Sequence, residues 1–170
     1  GWLLLLGVNG QFSNPVFWIA LAIAATNLGF LGHNWPPARI FIGDVASTFL
    51  GYCFAVIPLL TINHMEDSFL LAVILMWAYI LDTSITFLRR LIKGEAVFSA
   101  HRTHIYQRLV ISGYQVSSIT SLYLLLTSFG VVLAYAWVQN FSFAPAAIII
   151  GMPVFWVLLI GFTKLRERNS

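Results

Sequence analysis

Ile119-Thr120-Ser121-Leu122-Tyr123-Leu124-Leu125-Leu126-Thr127-Ser128-Phe129-Gly130-Val131-Val132-Leu133-Ala134-Tyr135-Ala136-Trp137-Val138 contains no Asp, Glu, Lys, Arg or His. At ~1.5 Å per residue, a helix of this length covers a ~30 Å hydrocarbon core. Working outward, comparable apolar runs occupy residues 15–31, 45–62, 69–88 and 144–163. Pro15 suits the first turn of a helix, Pro58 predicts a kink, and the pair Pro36 and Pro37 ends a helix. The chain is 59% hydrophobic and 9% charged, against about a quarter charged in a soluble domain. This excludes an ordinary water-soluble globule. The lone cysteine, Cys53, excludes a disulfide framework. The expected fold is all-α: a polytopic transmembrane helix bundle of five full spans plus an N-terminal stub, with a short cytoplasmic amphipathic helix. The stub, residues 2–6, is too short to span and has no basic region or cleavage site before it. It reads as the end of a helix whose beginning lies upstream, so an N-terminally truncated chain is expected.

The charges support this count of spans. Arg39 lies in the link at residues 34–44. Arg89, Arg90, Lys93, Arg102 and Arg108 lie in the polar stretch at residues 89–118, and Lys164, Arg166 and Arg168 lie in the tail. Five spans put these three segments on one side, and they hold all nine Lys and Arg residues. The opposite links, residues 9–14, 63–68 and 139–143, hold none. The positive-inside rule makes the basic side cytoplasmic. Nothing in this pattern points to nucleic acid.

Three places carry residues suited to chemistry. Asp44 sits where a Pro-rich loop meets the second span. A carboxylate at the hydrocarbon edge suits a helix N-cap and equally a Mg²⁺ ion shared with phosphates, and the two readings are compatible. Asn34 and His33 share that loop. Asp82 lies in the third span, in a polar stripe formed by Tyr79, Asp82, Thr83, Thr86, Arg89, Arg90 and Lys93. The stripe should face the bundle interior or a wet cavity; the alternative is an ion pair from Asp82 to Arg89 along the helix. In the third place, Ser99 predicts the cap of a short helix that ends at Gly113. There His101, His104 and Arg108 fall at i, i+3 and i+7. Imidazole and guanidinium groups on one face suit a diphosphate, while a solvated interfacial helix is the competing reading.

The stretch Asn34-Trp35-Pro36-Pro37-Ala38-Arg39-Ile40-Phe41-Ile42-Gly43-Asp44-Val45-Ala46-Ser47, followed by Phe49-Leu50-Gly51, resembles a signature of the polyprenyl-phosphate sugar-1-phosphate transferases. Asp82-Thr83 through Arg90, then His101-Arg102-Thr103-His104-Ile105-Tyr106-Gln107-Arg108-Leu109, resembles the same family's later cytoplasmic motif. The resemblance covers residues 27–113 and implies a transfer of sugar-1-phosphate from a UDP-sugar to undecaprenyl phosphate, with release of UMP. It also implies residues 1–170 as a single transmembrane catalytic domain in a bacterial cytoplasmic membrane. Asp44 would bind Mg²⁺, with Mn²⁺ as the alternative ion. His101 and His104 would be catalytic. Arg102, with Asn34, Arg89, Arg90 and Arg108, would hold substrate phosphates.

The sequence departs from the family pattern in three ways. Ala46 stands where Gly is usual, the histidine motif reads His-Arg-Thr-His, and the family's upstream aspartates are not in this chain. The chain alone is therefore expected to be inactive. The rival class is a non-catalytic membrane protein, either a transporter half or a degenerate partner subunit. Transporters gather polar groups near mid-membrane, whereas here they gather at one edge.

Overall fold

A computed structural model describes residues 1–96 and 103–169. Every regular element among the described residues is helical. They fall into two compact units, residues 1–75 and 76–170.

The first unit contains α1 (Trp2–Val8), α2 (Pro15–Asn34), α3 (Gly43–Thr61) and α4 (Ser68–Leu75). The Asn14 side chain caps α2 by accepting from the Val16 N–H at 3.0 Å, and Pro15 follows it in the first turn. At the far end, Asn34 Nδ2 donates to the Ile40 carbonyl at 2.8 Å and closes the loop leading to α3. Gly43 enters α3 at φ +68°, a left-handed conformation that disfavours a side chain. Pro58 lies inside α3, which continues through it to Thr61. Trp2, Leu5, Leu6, Ile57, Leu71 and Ile74 supply the buried core. Elsewhere α2 and α3 are mostly exposed apolar surface, with Val45 88% exposed. Hydrocarbon tolerates such surface and water does not.

The second unit contains α5 (Trp77–Ile92), α6 (Ile105–Ile111), α7 (Val116–Val138), α8 (Ala144–Ala146) and α9 (Met152–Asn169). A π-helical turn, Ala147–Gly151, joins α8 to α9. The core is aromatic. Trp77 packs edge-on against Phe129, Phe155 and Trp156 at ring distances of 6.3, 6.2 and 6.0 Å. The Trp77 indole N–H also donates to the Leu126 carbonyl at 2.9 Å, which ties α5 to α7.

Four helical segments are long and apolar enough to cross a membrane: α2, α3, α7 and Ala144–Arg168. The count becomes five if α4 and α5 form one broken span. The expected third span, residues 69–88, is thus not one helix. It breaks at Met76 (φ −107°, ψ 11°), on the boundary between the units. No Gly or Pro marks the site. The residue that follows, Trp77, is buried against three aromatic rings and bonded to the Leu126 carbonyl, and tertiary packing outweighs helix propensity there.

Three further expectations are corrected. The last helix does not stop at residue 163, where the fifth apolar run ends, because α9 carries the basic tail on to Asn169 with no breaker in the way. The stub is longer than residues 2–6 and reaches Val8. The short helix begins at Ile105, with His104 as its N-cap, rather than at Ser99; Ser99 lies outside the described residues. Its C-terminal end is as expected: Ser112 caps it and Gly113 follows at φ +98°.

Candidate functional site

In the second unit the polar residues converge on Asp82. Its place on α5 follows from a narrower stripe than the sequence implies. Asp82, Thr86 and Arg90, spaced four apart, are buried, while Tyr79, Thr83 and Lys93 on the flanks are exposed. Asp82 is 3% exposed. A buried carboxylate must be saturated to be tolerated, and this one is. Its Oδ1 accepts from the Ile105 backbone N–H at 2.9 Å and from the Thr86 hydroxyl at 3.4 Å. Its Oδ2 accepts from the Tyr123 hydroxyl on α7 at 3.0 Å. His104 Nδ1 lies 3.6 Å from Oδ1, an ion-pair separation when the ring is protonated and too long for a hydrogen bond. The alternative reading, an ion pair from Asp82 to Arg89, is not what forms: Asp82 meets α6 and α7, and Arg89 bonds the Thr103 carbonyl.

His104 shares the N-terminus of α6 with this carboxylate. The Gln107 side chain accepts from the His104 N–H at 3.3 Å, and the His104 side chain in turn accepts from the Gln107 N–H, a capping box. The His104 ring stacks on Tyr106 at 5.9 Å, and Tyr106 meets Tyr123 edge-on at 6.0 Å. Asp82 and the His104 ring thus take different orphan N–H groups of one short helix.

The arginines expected to hold phosphates have protein partners. Arg90 is buried, donates from Nη2 to the Ala96 carbonyl and pairs with Glu95 at 3.7 Å. Arg89 Nη2 donates to the Thr103 carbonyl at 3.3 Å. Neighbouring arginines of α5 therefore grip the two described residues that flank residues 97–102. Arg108 makes a bidentate pair with Glu167 of α9, at 2.7 Å from Nε and 2.6 Å from Nη2. The hydrogen bonds to Glu167 outweigh partial burial and raise the Arg108 pKa above its ordinary value. Use of Arg108 on a phosphate would require that pair to open. His101 and Arg102 lie outside the described residues.

The first unit holds Asp44 and Asn34. Asp44 lies in the first turn of α3 and not at its cap, which is Ile42. The N-cap reading is overturned because the chain enters the helix through Gly43, one residue too early for Asp44 to serve. Asp44 is exposed, and its carboxylate has no protein partner among the described residues. The helix dipole favours its ionised form. Asn34 makes the loop-closing bond to Ile40 already described. No cluster of three or more His, Cys, Asp or Glu side chains placed to hold a metal occurs among the described residues.

The sequence did not disclose Tyr123 or Glu167 as partners. Tyr123 lies within a span free of charged residues, where a tyrosine reads as lipid-facing, and Glu167 reads as part of a solvated tail. No local pattern marks either one.

The profile described as "Glycosyl transferase family 4" matches residues 2–62, a stretch that includes the loop from Asn34 to Asp44. Over those residues the chain is similar to this family. A probable undecaprenyl-phosphate N-acetylglucosaminyl 1-phosphate transferase of Bacillus subtilis is 33% identical over 97 residues, 56% of this chain and 27% of that protein. The decaprenyl-phosphate N-acetylglucosaminephosphotransferase of Mycobacterium leprae is 28% identical over 148 residues, 79% of this chain and 34% of the relative. A phospho-N-acetylmuramoyl-pentapeptide-transferase of Trichormus variabilis is 39% identical over 71 residues, 41% of this chain and 19% of its own length. The chain thus spans about a third or less of the curated relatives it matches. No solved structure matches it significantly.

Proposed function

We propose that this protein is a phospho-glycosyltransferase of the bacterial cytoplasmic membrane that starts the assembly of a lipid-linked glycan. The donor is a UDP-N-acetylhexosamine or a derivative, and the acceptor is undecaprenyl phosphate. The observation that carries this reading is the family match over the loop that presents Asp44, an exposed carboxylate without a protein partner among the described residues. Two of the relatives are by name polyprenyl-phosphate N-acetylglucosamine phosphate transferases, and a third is a phospho-N-acetylmuramoyl-pentapeptide-transferase.

In the reaction, an oxygen of the acceptor phosphate attacks the sugar-linked phosphorus of the donor. The bond from that phosphorus to the bridging oxygen breaks, the oxygen leaves with UMP, and a polyprenyl-diphospho-sugar remains. The catalytic need is to neutralise and align a diphosphate. Asp44 fits a hard divalent cation, because Mg²⁺ is commonly held by one or two carboxylates together with phosphate oxygens and water. When bound, Mg²⁺, or Mn²⁺ in its place, supplies charge neutralisation at the transferring phosphoryl group. His104, fixed at the head of α6, would contact the donor together with His101 and Arg102. In this arrangement Arg89 and Arg90 support the histidine segment by holding its flanks. The basic face of the chain lies on the cytoplasmic side, where a soluble donor arrives.

The test is release of UMP from a UDP-sugar by the intact protein in vesicles containing undecaprenyl phosphate. Wild-type protein is expected to release UMP in proportion to lipid product. The His101→Ala variant is expected to raise the donor KM about tenfold, as loss of a charge-assisted phosphate contact would. Unchanged kinetics would remove His101 from the site.

A further inference from the structure

The proposed chemistry does not use Asp82, yet it is a carboxylate buried within the second unit and joined to three helices. It sits on α5, takes the hydroxyl of Tyr123 on α7, and takes the backbone N–H of Ile105, the first residue of α6. A seven-residue helix has little stability of its own, and four of its backbone N–H groups have no partner within it. Whatever satisfies those groups decides where the helix starts and how it is oriented. Here the first N–H belongs to Asp82, and the residue just before it is His104.

We propose that Asp82 is the positioning residue of the histidine segment. Its buried carboxylate anchors the first N–H of α6 and thereby sets where His104 stands for donor binding. This rests on the transferase reading above. Asp82 touches no substrate in this account and acts through the backbone of Ile105. The same helix, α5, reinforces the anchor through Arg89 and Arg90, which hold Thr103 and Ala96. Thr86 and Tyr123 keep the carboxylate in place, one from its own helix and one from across the unit.

The alternative is a general stabiliser of the fold, and two substitutions separate the two roles. Asp82→Leu removes every acceptor. Asp82→Asn keeps one oxygen for the Ile105 N–H and an amide that can donate to the Tyr123 oxygen, so it preserves the anchor while losing the charge. In the intact protein in vesicles, Asp82→Leu is expected to raise the UDP-sugar KM about tenfold, per mole of folded protein, through loss of a charge-assisted buried hydrogen bond. It should also speed amide exchange across α6. Asp82→Asn is expected to restore both to within about threefold of wild type. If Asp82→Leu fails to accumulate, Tyr123→Phe is measured in its place and should raise KM about threefold.

A Leu variant that loses folded protein while keeping wild-type KM and wild-type exchange in α6 would overturn the proposal. An Asn variant as impaired as the Leu variant would overturn it too, because the charge and not the anchor would then matter. A wild type that transfers no sugar phosphate would refute the function instead. The exchange rates of α6 would still report on the anchor in that case.

Discussion

Asp44 and Asp82 are both carboxylates at ends of apolar spans, and the two units treat them oppositely. Asp44 stands exposed in the first turn of α3 without a protein partner among the described residues. Asp82 is buried and saturated by Ile105, Thr86 and Tyr123. An exposed carboxylate keeps its oxygens available to a ligand. A buried one must give them up to protein donors. The same contrast extends to the helices around them: α2 and α3 of the first unit present mostly exposed apolar surface, whereas Trp77, Tyr123 and Trp156 pack a dense aromatic core in the second.

The largest effect that could break this comparison lies in the second core. Trp156 is 0% exposed, and Trp156→Ala is expected to cost about 3–5 kcal/mol of stability through the cavity it leaves. Chemical unfolding in detergent or lipid would show it, and a loss under 1 kcal/mol would mean that the core is not tightly packed. Next comes Asp44→Asn, expected to cut turnover about a hundredfold, or ~2.7 kcal/mol in the barrier, with the unfolding midpoint unmoved. If it destabilised the protein instead, Asp44 would be structural and the contrast with Asp82 would collapse.

A smaller effect is expected at the Arg108 and Glu167 pair. Glu167 is over a third exposed, so a double-mutant cycle of Arg108→Ala and Glu167→Ala should give a coupling of about 1 kcal/mol or less, declining with added salt. The stability contributed by the raised Arg108 pKa is fully present below its unfolded value and is lost only as pH rises through the folded one, while that of Glu167, lowered by its hydrogen bonds to Arg108, is present above the unfolded carboxylate value and lost as pH falls. No change in this pair is therefore expected between pH 5 and 9, and a coupling that varied across that window would point to another titrating group. The smallest effect is expected at Val45, which is 88% exposed at the start of α3. Val45→Ala should change stability by less than about 0.5 kcal/mol, and a larger loss would show that this surface is covered.

Much of the architecture was legible in advance. The starts of α2 at Pro15 and α8 at Ala144, and the end of α7 at Val138, follow from where the runs of apolar residues begin and stop, whereas α7 starts three residues before the expected Ile119. The candidate site was legible in part. Asp44, Asp82 and His104 stand out because charged or imidazole groups are rare beside such runs. What they touch was not legible. The polar stripe on α5 implied seven interior residues, and the buried face holds Asp82, Thr86 and Arg90 while Tyr79, Thr83 and Lys93 lie outside it. Arg89, Arg90 and Arg108 had the composition of a phosphate site, yet they meet Thr103, Ala96 and Glu167. Composition cannot tell a guanidinium that holds a ligand from one that holds a carbonyl.

By itself, the sequence determined that this chain is helical and suited to a bilayer, because apolar length and charge placement are local properties that lipid reads directly. Only the tertiary structure decided that the third apolar run breaks at Met76, that α6 begins at Ile105 with His104 as its cap, and that one buried carboxylate takes the first N–H of that helix. Each of these depends on residues far apart in the chain: Trp77 with Leu126, Asp82 with Ile105 and Tyr123, Arg108 with Glu167. Such partners are fixed by satisfying buried polar groups in three dimensions, and no one-dimensional pattern encodes them.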